Sequence, residues 1–350
     1  MTPRRLDVSV VICTYTEERW ERLAAAIASV RGQSRPATET IVAVDHCPPL
    51  ARRLRTAFPD VVVVASTGRP GLSGARNAGL ALATGDVVAF LDDDATAARD
   101  WLERLAGGYE ADDVVGVGGA VLPAWETGRP RWFPAEFDWV VGCSYTGLPR
   151  ARAPVRNLIG ANMSFRREVF ELVGGFSEDL GRLGARPLGC EETELAIRVR
   201  QRRPESRLLY EPAAVVHHHV PRQRARWRYF GARCYAEGLS KAAVSRLVGA
   251  RDGLAAERHY VRRVLPRAVV TGLAPTGAGT AATVLLGLAL TISGYLRGRI
   301  ALASNRPAAA PGDGQGRSVT GALPSASGTP STRSRSRASS DRSRSSSSSR

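Results

Sequence analysis

The chain has 350 residues, 43% of them hydrophobic, enough to bury a substantial core in one large or two small domains. Its formal charge is +16, but lysine occurs only at Lys241, and so uniform an arginine bias reflects genomic base composition more than a surface built to read phosphates. No specific nucleic-acid partner is therefore expected. The five cysteines, Cys13, Cys47, Cys143, Cys190 and Cys234, are far apart and contain no CxxC pair, which argues against a disulfide framework and against a zinc site.

The N-terminal "LDVSVVICTYTEERW" is too short and too soon charged to read as a secretory signal. Its core "VSVVIC" predicts a buried strand, and Glu17 to Val30 places Trp20, Leu23, Ala24, Ile27 and Val30 on one helical face. Strands follow at "TIVAVD", "VVVVAS" and "DVVAFLDDD", with an alanine-rich helix over Ser73 to Ala83 between the last two. Strand and helix in alternation predict a parallel sheet covered on both faces, with ligands at the carboxyl ends of its strands. Thr14, Tyr15 and Thr16, then Asp45 and His46, then Asp92, Asp93 and Asp94 all fall at such ends. Three adjacent carboxylates repel one another unless they are solvated or hold a cation, so the triplet is either a metal site or a solvated turn. No G-x-G-x-x-G follows the first strand, which disfavours a dinucleotide-binding dehydrogenase.

In the middle third, "LPAWETGRPRWFPAEFDWVVG" is rich in proline and aromatic residues and suits a loop or flap over a site. "LIGANMSFRREVFELVGGF" predicts strand, turn and short helix, and "GCEETELAIRVRQ" opens a helix with Glu191, Glu192 and Glu194 in the first turn, where they oppose the positive helix end. A strand at "LLYEPAAVVHHHV" would turn His217 and His219 to a common face. A basic aromatic helix follows. Ala268 to Leu296 then carries no charge and is flanked by arginines, as suits a single span or an interfacial helical hairpin; a buried helix pair is the alternative. After Ala301 the composition falls to Ala, Pro, Gly, Ser and Arg, too poor in apolar surface to fold.

From Asp7 to Val220 four collinear motifs resemble those of family 2 glycosyltransferases with the GT-A fold, a Rossmann-like nucleotide-sugar-binding α/β fold. They are "VSVVICTYTEERWERLAAAIASVRGQ", "IVAVDHC", "GLSGARNAGLALATGDVVAFLDDDA", and "GANMSFRREVFELVGGFSEDL" with "GCEETELAIRVRQ". The resemblance implies an inverting, metal-dependent transferase that moves a sugar from a nucleotide diphosphate sugar to a lipid-linked, polysaccharide or other envelope acceptor. Asp92 and Asp94 would place Mg2+ or Mn2+ on the diphosphate, with His219 completing the metal site. Thr14, Tyr15, Asp45, Arg76 and Asp93 would hold the nucleotide. Glu192 would be the general base and Glu191 a supporting or acceptor-binding group, where the family usually has Glu-Asp. The expected layout is a GT-A domain over 1–220, a basic helical region over 221–265, a membrane-associated segment over 266–300 and a disordered tail over 301–350. The enzyme would then sit on the cytoplasmic side of the cell membrane, peripheral or single-span. A competing expectation is a non-catalytic scaffold of the same fold that binds membrane or RNA through its basic helices and tail.

Overall fold

A computed structural model describes residues 5–181, 189–249, 252, 257, 260–272 and 278–304; the Arg/Ser-rich tail from 305 onward lies outside the described residues. Strand β1 (Val8–Thr14) is buried at every position. It is flanked in parallel by β2 (Glu39–Asp45) and β4 (Val87–Asp92), and β2 carries β3 (Val62–Ser66) on its far side. Strict alternation along β1 and β4 builds two cores. Val8, Val10 and Ile12 join Val87, Ala89 and Leu91 on one face, while Val11, Cys13, Val88 and Phe90 face the other. The first core receives Leu23, Ile27 and Val30 of helix α1 (Trp20–Arg31) and Leu50 and Leu54 of α2 (Pro48–Ala57); the second receives Ala75 of α3 (Leu72–Leu80). Helix α1 starts at Trp20, after a 3-10 turn over Glu17–Arg19 whose cap, the Thr16 hydroxyl, accepts from the Glu18 N–H at 3.3 Å.

The second half departs from the all-parallel expectation. Next come β5 (Ala95–Ala97), α4 (Trp101–Ala106), β6 (Val114–Trp125), β7 (Ala153–Val155), β8 (Asn162–Arg166), α5 (Glu168–Val173), α6 (Glu191–Arg202) and β9 (Arg207–Val220). Strand β8 lies antiparallel between β4 and β6, so the sheet runs β3-β2-β1-β4-β8-β6-β9-β5 and is mixed. The physical reason is that β8 enters from a loop on the carboxyl side of the sheet, with no helical crossover to reverse its direction. The β6–β9 ladder shifts register between Gly119, paired with Glu211, and Ala120, paired with Val215. A Cβ at Gly119 would lie 1.9 Å from the Ala214 carbonyl oxygen, so only glycine permits this approach. Buried Asn162 pins the slip: its amide donates to the carbonyls of Ala120 (2.9 Å) and Ala214 (2.8 Å), and its oxygen accepts from the Trp101 indole at 2.8 Å.

Beyond the sheet, α7 (Trp227–Val248) packs lengthwise on α9 (Ala278–Ser304), which α8 (Leu265–Gly272) precedes. Glycines set the α7–α9 spacing. A Cβ on Gly238 would fall 2.1 Å from the Thr291 carbonyl oxygen, and one on Gly294 would fall 2.0 Å from that of Tyr235. The opposite side of α9 exposes Leu285, Leu286, Ile292, Leu296 and Ile300. Among the described residues, Gly279–Leu302 is the one helix long and apolar enough to cross a membrane by length and composition, with mean hydropathy 1.5 over its best window.

Candidate active site

The carboxyl ends of β1, β2 and β4 bring Thr14, Asp45 and Asp92 to one edge, where they line a cleft with Tyr15, Arg19, Leu72, Asp93 and Asp94. Tyr15 is among the exposed large side chains and has the Arg19 guanidinium 5.0 Å from its ring centroid. Asp45 accepts the Gly71 N–H at 2.8 Å and is 2.7 Å from His46 Nδ1, which ties β2 to the start of α3.

The three acidic residues after β4 have distinct surroundings. Asp93 is buried, accepts from the Thr14 hydroxyl and Arg19 Nη1 at 2.8 Å each, and so faces the β1 side of the cleft. Burial, then the charge of Asp94, pushes its pKa up to about 6 against the pull of Arg19 and Thr14. Burial alone would also raise Asp94, but His218, Arg224 and Arg19 outweigh it and hold that carboxyl well below the usual range. Their distances to Asp94 are 3.1, 3.6 and 3.3 Å. Asp92 is more open, 3.7 Å from Arg76 and 4.0 Å from His218 Nε2.

One ligand atom each from Asp92, Asp94 and His218 lies within 4.8 Å of the others, a spacing one cation can bridge. Two carboxylates and an imidazole suit Mg2+ or Mn2+, and partial exposure of Asp92 leaves room for donor oxygens. Cys143 Sγ stands 3.8 Å from His218 Nδ1 and helps fix the ring. The histidine brought here is His218, not the expected His219. The His219 N–H donates to the Asp94 carbonyl at 2.8 Å, and strand alternation then turns the 218 side chain inward. His217 and His219 do share a face, but it is the other one, and His219 Nε2 stands 3.7 Å from Glu126.

A cavity of about 440 Å³ runs from Asp92 and His218 past the start of α6 to α7 and α9. Glu191 and Glu192 line it, as do Phe137 and Trp139 of the aromatic middle segment and Tyr145 just after it. Arg76 is buried and bridges the two ends, donating from Nη1 to Glu191 Oε1 at 2.6 Å while standing near Asp92. Among the described residues, Glu191 Oε2 is buried without a hydrogen-bond partner. Burial, then the neighbouring Glu191 charge, pushes the Glu192 carboxyl up to about 7. A carboxylate that exchanges its proton near neutrality, facing a cavity beside a cation site, is equipped for general-base work.

Residues 9–174 match Glycosyl transferase family 2. Glucosyl-dolichyl phosphate glucuronosyltransferase of Haloferax volcanii is 38% identical over 246 residues, which cover 69% of this chain and 78% of that protein. The chain belongs to glycosyl transferase family 2. Another relative of this family 2 glycosyltransferase is the succinoglycan biosynthesis protein ExoM of Rhizobium meliloti, 27% identical over 305 residues, 78% of this chain and 94% of that one. The solved mannosyltransferase PcManGT from Pyrobaculum calidifontis, in complex with GDP-Man and Mn2+, shares the GT-A fold at TM-score 0.56 and 19% identity, covering 87% of this chain and 89% of that one. As a family 2 member the enzyme moves a sugar from a nucleotide sugar.

Sequence reasoning passed over Arg19 and Arg224. Arg19 sits in an amphipathic segment and Arg224 in a run of arginines, so nothing local sets either apart. The signal that could have raised them is distance from the strand ends: Arg19 comes five residues after β1, and Arg224 four after β9.

Proposed function

We propose that this family 2 glycosyltransferase is metal-dependent and inverting, and transfers a hexosyl group from a nucleoside diphosphate sugar to a hydroxyl of a lipid-linked or other envelope glycan at the cytoplasmic face of the membrane. The observation that carries the reading is one continuous cavity joining the Asp92–Asp94–His218 cluster to Glu192. The relative named for glucosyl-dolichyl phosphate and the apolar α9 support a lipid-linked acceptor.

In this reading Thr14, Tyr15, Asp45 and Asp93 hold the nucleoside, and Asp92, Asp94 and His218 hold Mg2+ or Mn2+. When bound, the cation neutralises charge on the diphosphate. Arg76 orients Glu191 and the metal-side edge together. Glu192 takes the proton of the acceptor hydroxyl as its oxygen bonds to the anomeric carbon and the bond to the diphosphate breaks. Attack opposite the leaving group inverts that carbon.

Calorimetric titration of UDP, GDP and dTDP with and without Mn2+ tests the site. Metal-dependent binding of one nucleotide, lost in Asp94→Ala, is the expected result; no binding of any nucleotide would refute the reading.

A further inference from the structure

Helix α6, which presents Glu191 and Glu192 to the cavity, begins in an unusual way. An N-cap residue ordinarily has extended backbone and offers a side-chain oxygen to the first N–H groups of the helix. Cys190 holds that place at φ 74°, in the left-handed region, and its side chain caps nothing. Among the described residues, His46 is the one other non-glycine residue with a positive φ. A residue with a Cβ adopts this conformation where its surroundings impose it.

The surroundings are one turn of α7. The Gly189 N–H donates to Ser240 Oγ at 3.1 Å, and that hydroxyl donates in turn to the Ala236 carbonyl at 3.0 Å. The Cys190 thiol donates to Glu237 Oε1 at 3.3 Å, and burial pushes its pKa up, so it keeps the proton that makes the bond. Glu237 is fixed between Arg233 Nη1 at 2.8 Å and Lys241 Nζ at 3.4 Å, and Lys241 is shared with Glu257, onto which Arg156 forks. Cys190 and Ser240 are 4% and 2% exposed, so both bonds lie out of reach of bulk water. Gly238, in the same turn, is where α7 touches the backbone of α9, which braces the turn from behind. On the α3 side Arg76 bonds Glu191. Glu192 comes next in the chain, its Oε1 accepting from the Thr193 hydroxyl at 3.3 Å.

We infer that Glu237 and Ser240 of α7 are positioning residues for the transfer reaction: by holding Gly189 and Cys190 in the left-handed turn, they fix where Glu192 stands at the cavity wall. This rests on the reading of Glu192 as general base. Loss of either bond lets Cys190 return to the extended backbone of an ordinary N-cap, which swings the first turn of α6 and opens Glu192 to water.

The test titrates the Glu192 carboxyl of the full chain by pH-difference infrared spectroscopy, its carbonyl band being assigned by its absence from Glu192→Gln. In the unmutated chain the band should titrate at about 7. Cys190→Ala and Ser240→Ala should each lower that midpoint by about one pH unit or more, toward the usual carboxylate range, because less burial favours the ionised form. Neither substitution alters a charge: Glu191, Arg76 from α3 and Lys241 from α7 still act on the carboxyl, and Arg233 and Glu237 still stand beside residue 190. Cys190→Ser keeps a donor for Glu237 and should keep the parent midpoint; a shift as large as that of Cys190→Ala would overturn the bond to Glu237. A midpoint that stays at about 7 in one alanine variant would overturn the bond which that variant lacks, and in both it would overturn the positioning role while leaving the base intact. A Glu192 that titrates in the usual carboxylate range in the unmutated chain would strike the base reading itself, and the positioning with it. Thermal unfolding of the same samples reports that the variants are folded; if Cys190→Ala does not fold, Ser240→Ala decides alone.

Discussion

At Asp94 three cationic or imidazole side chains converge on one buried carboxylate. In the proposed reading Asp94 would help hold the cation, and Arg19 and Arg224 would stand where they could meet phosphate oxygens of the donor. His218→Ala should weaken Mn2+-dependent nucleotide binding by about 10- to 100-fold, in the range for lost metal-site contacts, whereas His219→Ala should leave it within about twofold. Calorimetry on the two variants separates them, and equal losses would refute the assignment of His218. At the other end, Glu192→Gln should lower kcat by about 10²- to 10⁴-fold with nucleotide binding intact. The pH dependence carries a definite sign. A base must be ionised to accept a proton, and the Glu192 carboxyl is pushed up to about 7, first by burial and then by Glu191. The kcat/KM should therefore fall as pH drops through about 7 and level off above it; a flat profile from pH 5.5 to 8 would sink the role of Glu192. The acidic triplet was legible in the sequence because it follows a strand, and Glu191 and Glu192 only through the resemblance to family 2 glycosyltransferases, since their spacing alone reads as an ordinary acidic helix start. The choice between His218 and His219 was not, since it depends on which face of β9 meets β5 and the Asp94 turn.

The α7–α9 pair shows how element packing shapes the cavity. Backbone contact at Gly238 and Gly294 draws α9 against α7 and lets Leu288, Thr291, Ile292 and Tyr295 line the space. Gly294→Val would thrust a side chain into the Tyr235 carbonyl, and overpacking of this kind costs about 1–3 kcal/mol. Thermal unfolding should show the loss, with acceptor KM raised more than donor KM because the acceptor wall is displaced. A variant as stable as the parent would show that the two helices are not held at this distance. The sequence marked both helices by composition, but the glycine contacts join residues more than fifty positions apart, and no periodicity encodes that pairing. The antiparallel insertion of β8 has the same origin. Its run "NMSFR" reads as a strand in either direction, and only pairing with β4 and β6 fixes which.

For the whole molecule, the bare side of α9 is the face on which the proposed membrane association would rest. Leu285, Leu286, Ile292, Leu296 and Ile300 recur at helical spacing, with Arg297 and Arg299 beside them. Replacing Leu285, Leu286 and Leu296 by serine should release the protein from vesicles containing anionic lipid in a flotation assay while leaving nucleotide binding unchanged. Retention on the vesicles would place the anchor elsewhere in the chain.

The sequence by itself determined the GT-A fold, the family, and the strand ends where the polar groups gather. These follow from local alternation and from short motifs whose residues are neighbours in the chain. Tertiary structure alone decided that His218 faces the carboxylates, that Arg19 and Arg224 reach Asp94, and that Arg156, Arg233 and Lys241 meet around Glu237 and Glu257. Each depends on side chains brought together from separate elements, and the energy that selects them comes from burial and charge pairing across the fold, which no single stretch of sequence contains.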